Sequence, residues 1–178
     1  MKKNDTDNIP ERFKWVLNII QARPSDKILE IGCGPGILTS LIAGQLKTGQ
    51  ISAIDRSASM IRHATNRNRE FIDDGKVAII HSSLEKWTPV ATFNKIIAFN
   101  VNIFWQNPER FLPDVKNMLR PKGRFFVCYQ PPSGKNKDAI KTIKNIFQAN
   151  GLFIEDILTK KFHPAPACCF ITTFIKIP

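Results

Sequence analysis

Lys27-Ile28-Leu29-Glu30-Ile31-Gly32-Cys33-Gly34-Pro35-Gly36, followed by Ile51-Ser52-Ala53-Ile54-Asp55, decides the fold of this chain. The first stretch reads as a buried strand running into a glycine-rich turn, and the second as another strand closed by an acidic residue. Between them Leu38, Leu41, Ile42 and Leu46 recur at helical spacing, so a helix is expected over about 36–46. Strand, turn, helix and strand in that order make a βαβ unit. Glycine lets the backbone turn sharply and come close to a ligand with no Cβ in the way. A carboxylate at the end of the second strand can accept from both hydroxyls of a ribose. Together these residues outline a pocket for a nucleoside-containing cofactor.

The glycine spacing narrows the choice of cofactor. The dinucleotide fingerprint Gly-x-Gly-x-x-Gly needs a third glycine where this chain has Ile37, and the phosphate loop Gly-x-x-x-x-Gly-Lys-Ser/Thr is absent. Glu30 stands two residues before the turn. A carboxylate there repels a pyrophosphate and attracts an ammonium group. A ligand with a ribose and a cationic amino-acid head suits both acidic positions, and S-adenosylmethionine is such a ligand.

Working outward, residues 9–22 read as an amphipathic helix with Phe13, Val16, Leu17 and Ile20 on one stripe. Strands are expected at 27–31, 50–54, Val77–His81, Lys95–Phe99 and Arg124–Tyr129. The fourth of these is a continuous apolar run, as a parallel strand covered on both faces should be. A helix capped by Ser57 reaches about residue 69, and Asp73-Asp74-Gly75 is a turn. Asn100 to Gln106 is a loop or short helix. A helix over Pro108–Leu119 has Asn107 as N-cap and ends at Pro121-Lys122-Gly123. After a helix over 138–149, strands at 152–158 and 168–177 have no helix between them and should pair antiparallel. The alternation predicts an α/β fold: a doubly wound, mostly parallel, seven-stranded sheet with an antiparallel last strand. Ligands of such sheets bind beyond the carboxyl ends of the strands, where strand order reverses. Gly32–Gly36, Asp55, Ser82-Ser83 and Asn100 all fall at such ends.

Glu30-x-Gly32-x-Gly34-x-Gly36, with Asp55-Arg56-Ser57-Ala58-Ser59-Met60 after it, resembles the class I S-adenosylmethionine-dependent methyltransferases. Within that superfamily the chain is most similar to the small-molecule type, which includes the quinone-biosynthesis methyltransferases. The motifs cover residues 27–61, and element order matches to about residue 130. The resemblance implies a Rossmann-like methyltransferase fold and S-adenosylmethionine as cofactor, with S-adenosylhomocysteine as product.

It also implies roles for individual residues. Glu30 serves the methionyl ammonium, or is a loop or cap carboxylate. Gly32, Cys33, Gly34 and Gly36 form the cofactor turn. Asp55 accepts from the ribose and also suits an N-cap. Arg56 and Met60 lie beside the adenine, although Met60 equally suits the core. Ser83 stands where the family usually has an acid for the adenine amino group, so that contact is weakened here. Leu84 supplies apolar contact to the ring, and Asn100 faces the methionyl part and the substrate. Phe104 and Trp105 either wall the substrate pocket or pack the core. No catalytic base is identified: Tyr129 and His163 are the nearest candidates, and structural roles suit both better.

With 178 residues and 43% apolar content, one domain spanning 1–178 is expected. It comprises a helical segment 1–23, a cofactor-binding core 24–134, and a helix and strand pair 135–178. Met1 to Asp7 has no apolar core like a signal peptide's, and no run approaches the ~18 apolar residues of a membrane span, so a cytoplasmic location without a membrane span is expected. Cys33, Cys128, Cys168 and Cys169 have no Cys-x-x-Cys spacing and should be reduced, buried thiols. His63, His81 and His163 are scattered, so no metal site is expected. The net charge of +11 points to an acidic substrate, a nucleic acid or an anionic surface. The basic residues are dispersed, however: Arg62, Arg67 and Arg69 share one expected helix, and Lys137, Lys141 and Lys144 line the face of another opposite Ile140, Ile143 and Phe147. A solvated face is the simpler account of that pattern.

Two local motifs mislead. Gln130-Pro131-Pro132-Ser133 resembles the Asn/Asp-Pro-Pro-aromatic motif of amino-methylating nucleic-acid enzymes, but follows the wrong strand and lacks the aromatic. Pro166-Ala167-Cys168-Cys169 suggests a nucleophilic cysteine, but begins a terminal strand. The expected activity is methyl transfer to a small-molecule acceptor by in-line displacement. An RNA or ribosomal methyltransferase and an inactive cofactor-binding module are the alternatives. Neither the acceptor atom nor the oligomeric state is legible.

Overall fold

Ile96, Ile97 and Ala98 are all fully buried, because their strand has packed layers on both sides. A computed structural model describes residues 9–89, 91–131 and 138–174 of the chain. Its elements are α1 (Glu11–Ile20), β1 (Lys27–Ile31), α2 (Ile37–Ala43), β2 (Gln50–Asp55), α3 (Ala58–Arg67), α4 (Arg69–Asp73), β3 (Val77–His81), β4 (Phe93–Phe99), α5 (Ile103–Gln106), α6 (Pro108–Met118), β5 (Leu119–Tyr129), α7 (Ala139–Ala149), β6 (Leu152–Lys160) and β7 (Ala167–Phe174). The seven strands form one sheet in the order β3-β2-β1-β4-β5-β7-β6. β1 to β5 are parallel, and β7 runs antiparallel to both β5 and β6. The expected doubly wound sheet with its antiparallel last strand is therefore the fold observed.

The period-2 alternation of strand side chains divides the core into two layers. Leu29, Ile31, Ile96, Ala98, Phe125, Val127, Cys168 and Phe170 face the layer of Phe104, Leu112, Val115 and Phe147 from α5, α6 and α7. Ile28, Ile97, Phe126, Cys128 and Cys169 face Val16, Ile20, Leu38 and Ile42 from α1 and α2. A polar exception lies at the amino edge of the sheet: the buried Lys95 Nζ donates to Asp26 Oδ2 (2.5 Å) and to the carbonyl of Gln21 (2.8 Å), which satisfies a charge that burial would otherwise penalise. Chain order reverses between β1 and β4, so the loops after these two strands meet at the carboxyl edge and leave a crevice.

Several boundaries depart from expectation for local reasons. The helix after Ser57 stops at Arg67, and Arg69 opens the separate helix α4. The interruption is Asn68, fully buried, whose Nδ2 donates to the carbonyls of Gly36 and Ala64. Pro121-Lys122-Gly123 lies within β5: Leu119 already pairs with Phe93, and the register shifts at Phe93/Lys95 to accommodate Lys122 at φ 64°. Asn107 makes no side-chain cap bond to α6, although Pro108 does occupy the first turn. Ser57 does cap α3, accepting from the Met60 N–H (3.4 Å). Lys141 and Lys144 are exposed while Ile143 and Phe147 are buried, as a solvated face requires. The residues of segment 1–8, the loop residues Pro132, Ser133 and Gly134, Lys137, and the end of the last strand beyond Phe174 lie outside the described residues.

Candidate active site

The glycine bend is held from two directions. The N–H groups of Gly32 and Cys33 both donate to the Ile54 carbonyl (2.8 and 3.0 Å). The Asp55 carboxylate then accepts from the Gly34 N–H at Oδ2 (2.9 Å) and from the Ser57 N–H at Oδ1 (2.8 Å). Asp55 thus ties the bend after β1 to the start of α3.

Gly32, Gly34 and Gly36 all have positive φ (70°, 53° and 72°), but they are glycine for different reasons. A Cβ on Gly36 would meet Ala64 Cα at 2.9 Å, so Gly36 lets the bend pack on α3. A Cβ on Gly32 would meet Val101 at 2.6 Å, where the loops after β1 and β4 converge. A Cβ on Gly34 would meet nothing within 4 Å. Gly34 alone faces open space, as a cradle for a bound group should.

A cavity of about 270 Å³ lies over this bend. Gly32, Asp55, Arg56, Ser83, Leu84 and Asn100 line it, so six of the residues expected at the cofactor come together. Ser82, expected at a ligand-binding strand end, lines it too, as do Val101, Ile103, Phe111 and Glu85, which the sequence did not single out. Glu85 matters most among these. Its carboxylate stands two residues after Ser83, accepts from the Ser83 hydroxyl (3.4 Å) and pairs with Arg110 (3.2 Å). The only available signal was an acidic residue next to an expected acidic position.

Five expected cofactor residues, Glu30, Cys33, Gly34, Gly36 and Met60, lie outside that lining. Glu30 is buried in β1 and accepts from the Thr39 hydroxyl of α2 (2.5 Å). Burial raises its pKa to about 7; the Thr39 bond lowers it, and the nearby Asp55 charge raises it further. Cys33 packs with Ala53 and Ala64, and its thiol is held protonated mainly by burial. Met60 is half-buried at the start of α3, and Gly36 faces α3.

A second cavity, of about 630 Å³, opens beside the first at the ends of β4 and β5. Arg12, Asn100, Asn102, Trp105, Gln106, Tyr129, Gln130, Pro131 and Pro164 line it. Asn100 and Asn102 line both cavities, so the two adjoin. Asn100 sits at φ 58°, and its Oδ1 accepts from the Gln130 N–H (2.8 Å), which joins the ends of β4 and β5. Trp105 crosses Tyr129 edge-to-face at 5.1 Å and forms a wall of the groove. Phe104 turns the other way: it is fully buried and packs edge-to-face on Phe125 at 5.0 Å. His163 is exposed and lines neither cavity.

The remaining thiols are structural. All four cysteines are free and buried, and Cys128 lies opposite Cys169 across β5 and β7. Burial pushes the Cys168 thiol up to about 11, far from a nucleophile's range. Among the described residues no three His, Cys, Asp or Glu side chains gather as a metal site would need, and no helix is long and apolar enough to cross a membrane.

Comparison with known proteins agrees with this geometry. Residues 28–123 match the model of a family described as a methyltransferase domain. The methyltransferase YdaC of Bacillus subtilis is 25% identical over 162 residues, covering 88% of this chain and 87% of that protein. A trans-aconitate 2-methyltransferase from an Azoarcus species is 28% identical over 116 residues, 64% of this chain and 44% of its own length. Among solved structures, the N-methyltransferase NodS of Bradyrhizobium japonicum superposes with a TM-score of 0.70 at 16% identity, covering 91% of this chain and 93% of that one.

Proposed function

The chain belongs to the methyltransferase-domain family, the class I S-adenosylmethionine-dependent methyltransferases, and from that premise we propose that it methylates a small-molecule acceptor by in-line displacement. The observation that supports this best is the pair of adjoining cavities: one lined by Asp55 over the glycine bend, the other walled by Trp105 and Tyr129. The quinone-biosynthesis likeness of the motifs belongs within this proposal, and quinone acceptors are one class to assay. The whole chain is taken to act as one domain.

The residues fit the cofactor. Open space at Gly34 accommodates a ligand beside the backbone, and Asp55 has carboxylate lone pairs left for ribose hydroxyls beyond the two backbone donors it holds. Leu84 and Arg56 would flank the adenine, with Met60 at the start of α3 beside them. Glu85 would supply the acceptor for the adenine amino group that Ser83 provides weakly. Glu30, behind the bend, would favour the methionyl ammonium through its charge.

S-adenosylmethionine supplies a methyl group already activated on a sulfonium, so little chemistry is asked of the protein. The nucleophile of the acceptor bonds to the methyl carbon as the carbon–sulfur bond breaks and its electron pair stays on sulfur. Trp105, Tyr129 and Asn100 would hold the acceptor in line and exclude water, and such orientation accounts for several kcal/mol of a barrier. Tyr129 is the titratable side chain in the groove besides Arg12, and stands ready to orient a hydroxyl or amine acceptor.

Calorimetry with S-adenosylhomocysteine tests the reading. Saturable one-to-one binding is expected, and a protein that ignores this ligand would refute the assignment. The net charge of +11 favours RNA as a second acceptor class. RNA binding that falls steeply with salt would support it, whereas turnover of a small acceptor with no RNA binding supports the first.

A further inference from the structure

The groove beside the cofactor cavity has a charge pattern opposite to that of its neighbour. Asp55 and Glu85 line the cofactor cavity. Among the described residues no acidic side chain lines the groove, and Arg12 is its one charged side chain. Arg12 projects from α1 with its guanidinium 5.0 Å from the Phe13 ring centroid, and no described carboxylate lies within ion-pair distance of it. Stacking of this kind leaves the edge of the guanidinium, with its fork of N–H donors, free for an oxyanion.

The other polar groups divide by role. Gln130 is committed to the scaffold: its N–H donates to Asn100 Oδ1 and its Nε2 to the Ala165 carbonyl (2.9 Å). Asn102 and Gln106 add neutral amide groups to the same lining. The Trp105–Tyr129 pair gives the groove an aromatic wall, its two rings crossed at 63° so that a ring face is left for a planar ligand. A cation, an aromatic wall and a border shared with the cofactor cavity at Asn100 and Asn102 define a ligand with matching parts.

We propose that the acceptor is a small molecule with a flat unsaturated body and a carboxylate, the carboxylate anchored by Arg12 and the reacting end directed toward Asn100 and Asn102. This rests on the methyltransferase reading of the same cleft. The positive charge of the whole chain adds to the attraction of anions into the groove.

The test uses the full chain loaded with S-adenosylhomocysteine. Benzoate, cinnamate and indole-3-acetate are titrated against their uncharged carboxamides, with binding followed by calorimetry or ligand-observed NMR. The acids are expected to bind at least about tenfold tighter than the amides, as a charged anchor requires. Arg12→Gln should abolish that preference and Arg12→Lys should keep part of it, both with unchanged affinity for S-adenosylhomocysteine. Equal binding of acids and amides, an unaltered preference in Arg12→Gln, or no binding of any probe to the loaded protein would each overturn the proposal. Failure of S-adenosylhomocysteine itself to bind would instead overturn the methyltransferase reading, and this inference with it.

Discussion

The cofactor half of the cleft and the acceptor half are built in different ways. The cofactor half is founded on one continuous piece of chain: the bend Gly32–Gly36 and Asp55 belong to a single βαβ unit, tied by the Gly34–Asp55 bond, and the segments after β3 and β4 complete its lining. The acceptor half draws Arg12 from α1, Asn102, Trp105 and Gln106 from the region of α5, Tyr129 from the end of β5 and Pro164 from the loop before β7. A local unit fixes ligand chemistry in its own sequence. A groove assembled from distant segments acquires its chemistry only when the chain is folded. On the proposed function, recognition of the cofactor and choice of acceptor are thereby assigned to different parts of the molecule.

The sharpest way to break that comparison is within the bend. Gly36→Ala places a methyl 2.9 Å from Ala64 Cα at positive φ, and about 3–4 kcal/mol of stability should be lost in urea unfolding. If Gly36→Ala unfolds like wild type, the packing role of Gly36 is wrong.

Glu30 gives a pH-dependent contrast. Its pKa in the folded chain is raised from 4.5 to about 7, so folding favours the protonated form. The associated stability is present below pH 4.5 and is withdrawn as the pH rises toward 7. The difference of 2.5 units between these values corresponds to about 3 kcal/mol at most. Glu30→Gln should lack this decline, so wild type and variant should diverge in thermal stability between about pH 5 and about pH 8. Parallel pH profiles would mean that the Glu30 carboxyl is not desolvated.

Smaller effects should separate the two halves. Asp55→Ala should weaken S-adenosylhomocysteine by more than about tenfold, through loss of charged hydrogen bonds and of the tie to Gly34. Gly34→Ala, with nothing for its Cβ to strike, should fold with a loss of only about 1 kcal/mol yet bind the cofactor several-fold more weakly. Trp105→Ala should raise the KM for acceptor a few-fold at unchanged cofactor affinity. If Trp105→Ala changed cofactor affinity instead, the division into halves would fail.

What could be read from the chain follows the same line. β1, β3 and the alternation around the bend were legible because apolar runs and glycines mark them within a few residues. The break at Asn68 was not, because it depends on carbonyls of Gly36 and Ala64 that only the fold brings to one amide. Pro121-Lys122-Gly123 reads as a break yet sits in β5, since pairing of Leu119 with Phe93 outweighs the local signal. Phe104 and Trp105 are adjacent on one short helix, and composition could not tell which faces the groove and which the core. Arg12 and Pro164 carried no motif at all.

The most direct test of the account is a crystal structure with S-adenosylhomocysteine bound. It should show the ligand across the Gly32–Gly34 bend, both ribose hydroxyls within hydrogen-bond distance of the Asp55 carboxylate, and the sulfur facing the groove of Trp105 and Tyr129. A ligand bound elsewhere, or a ribose turned away from Asp55, would contradict it.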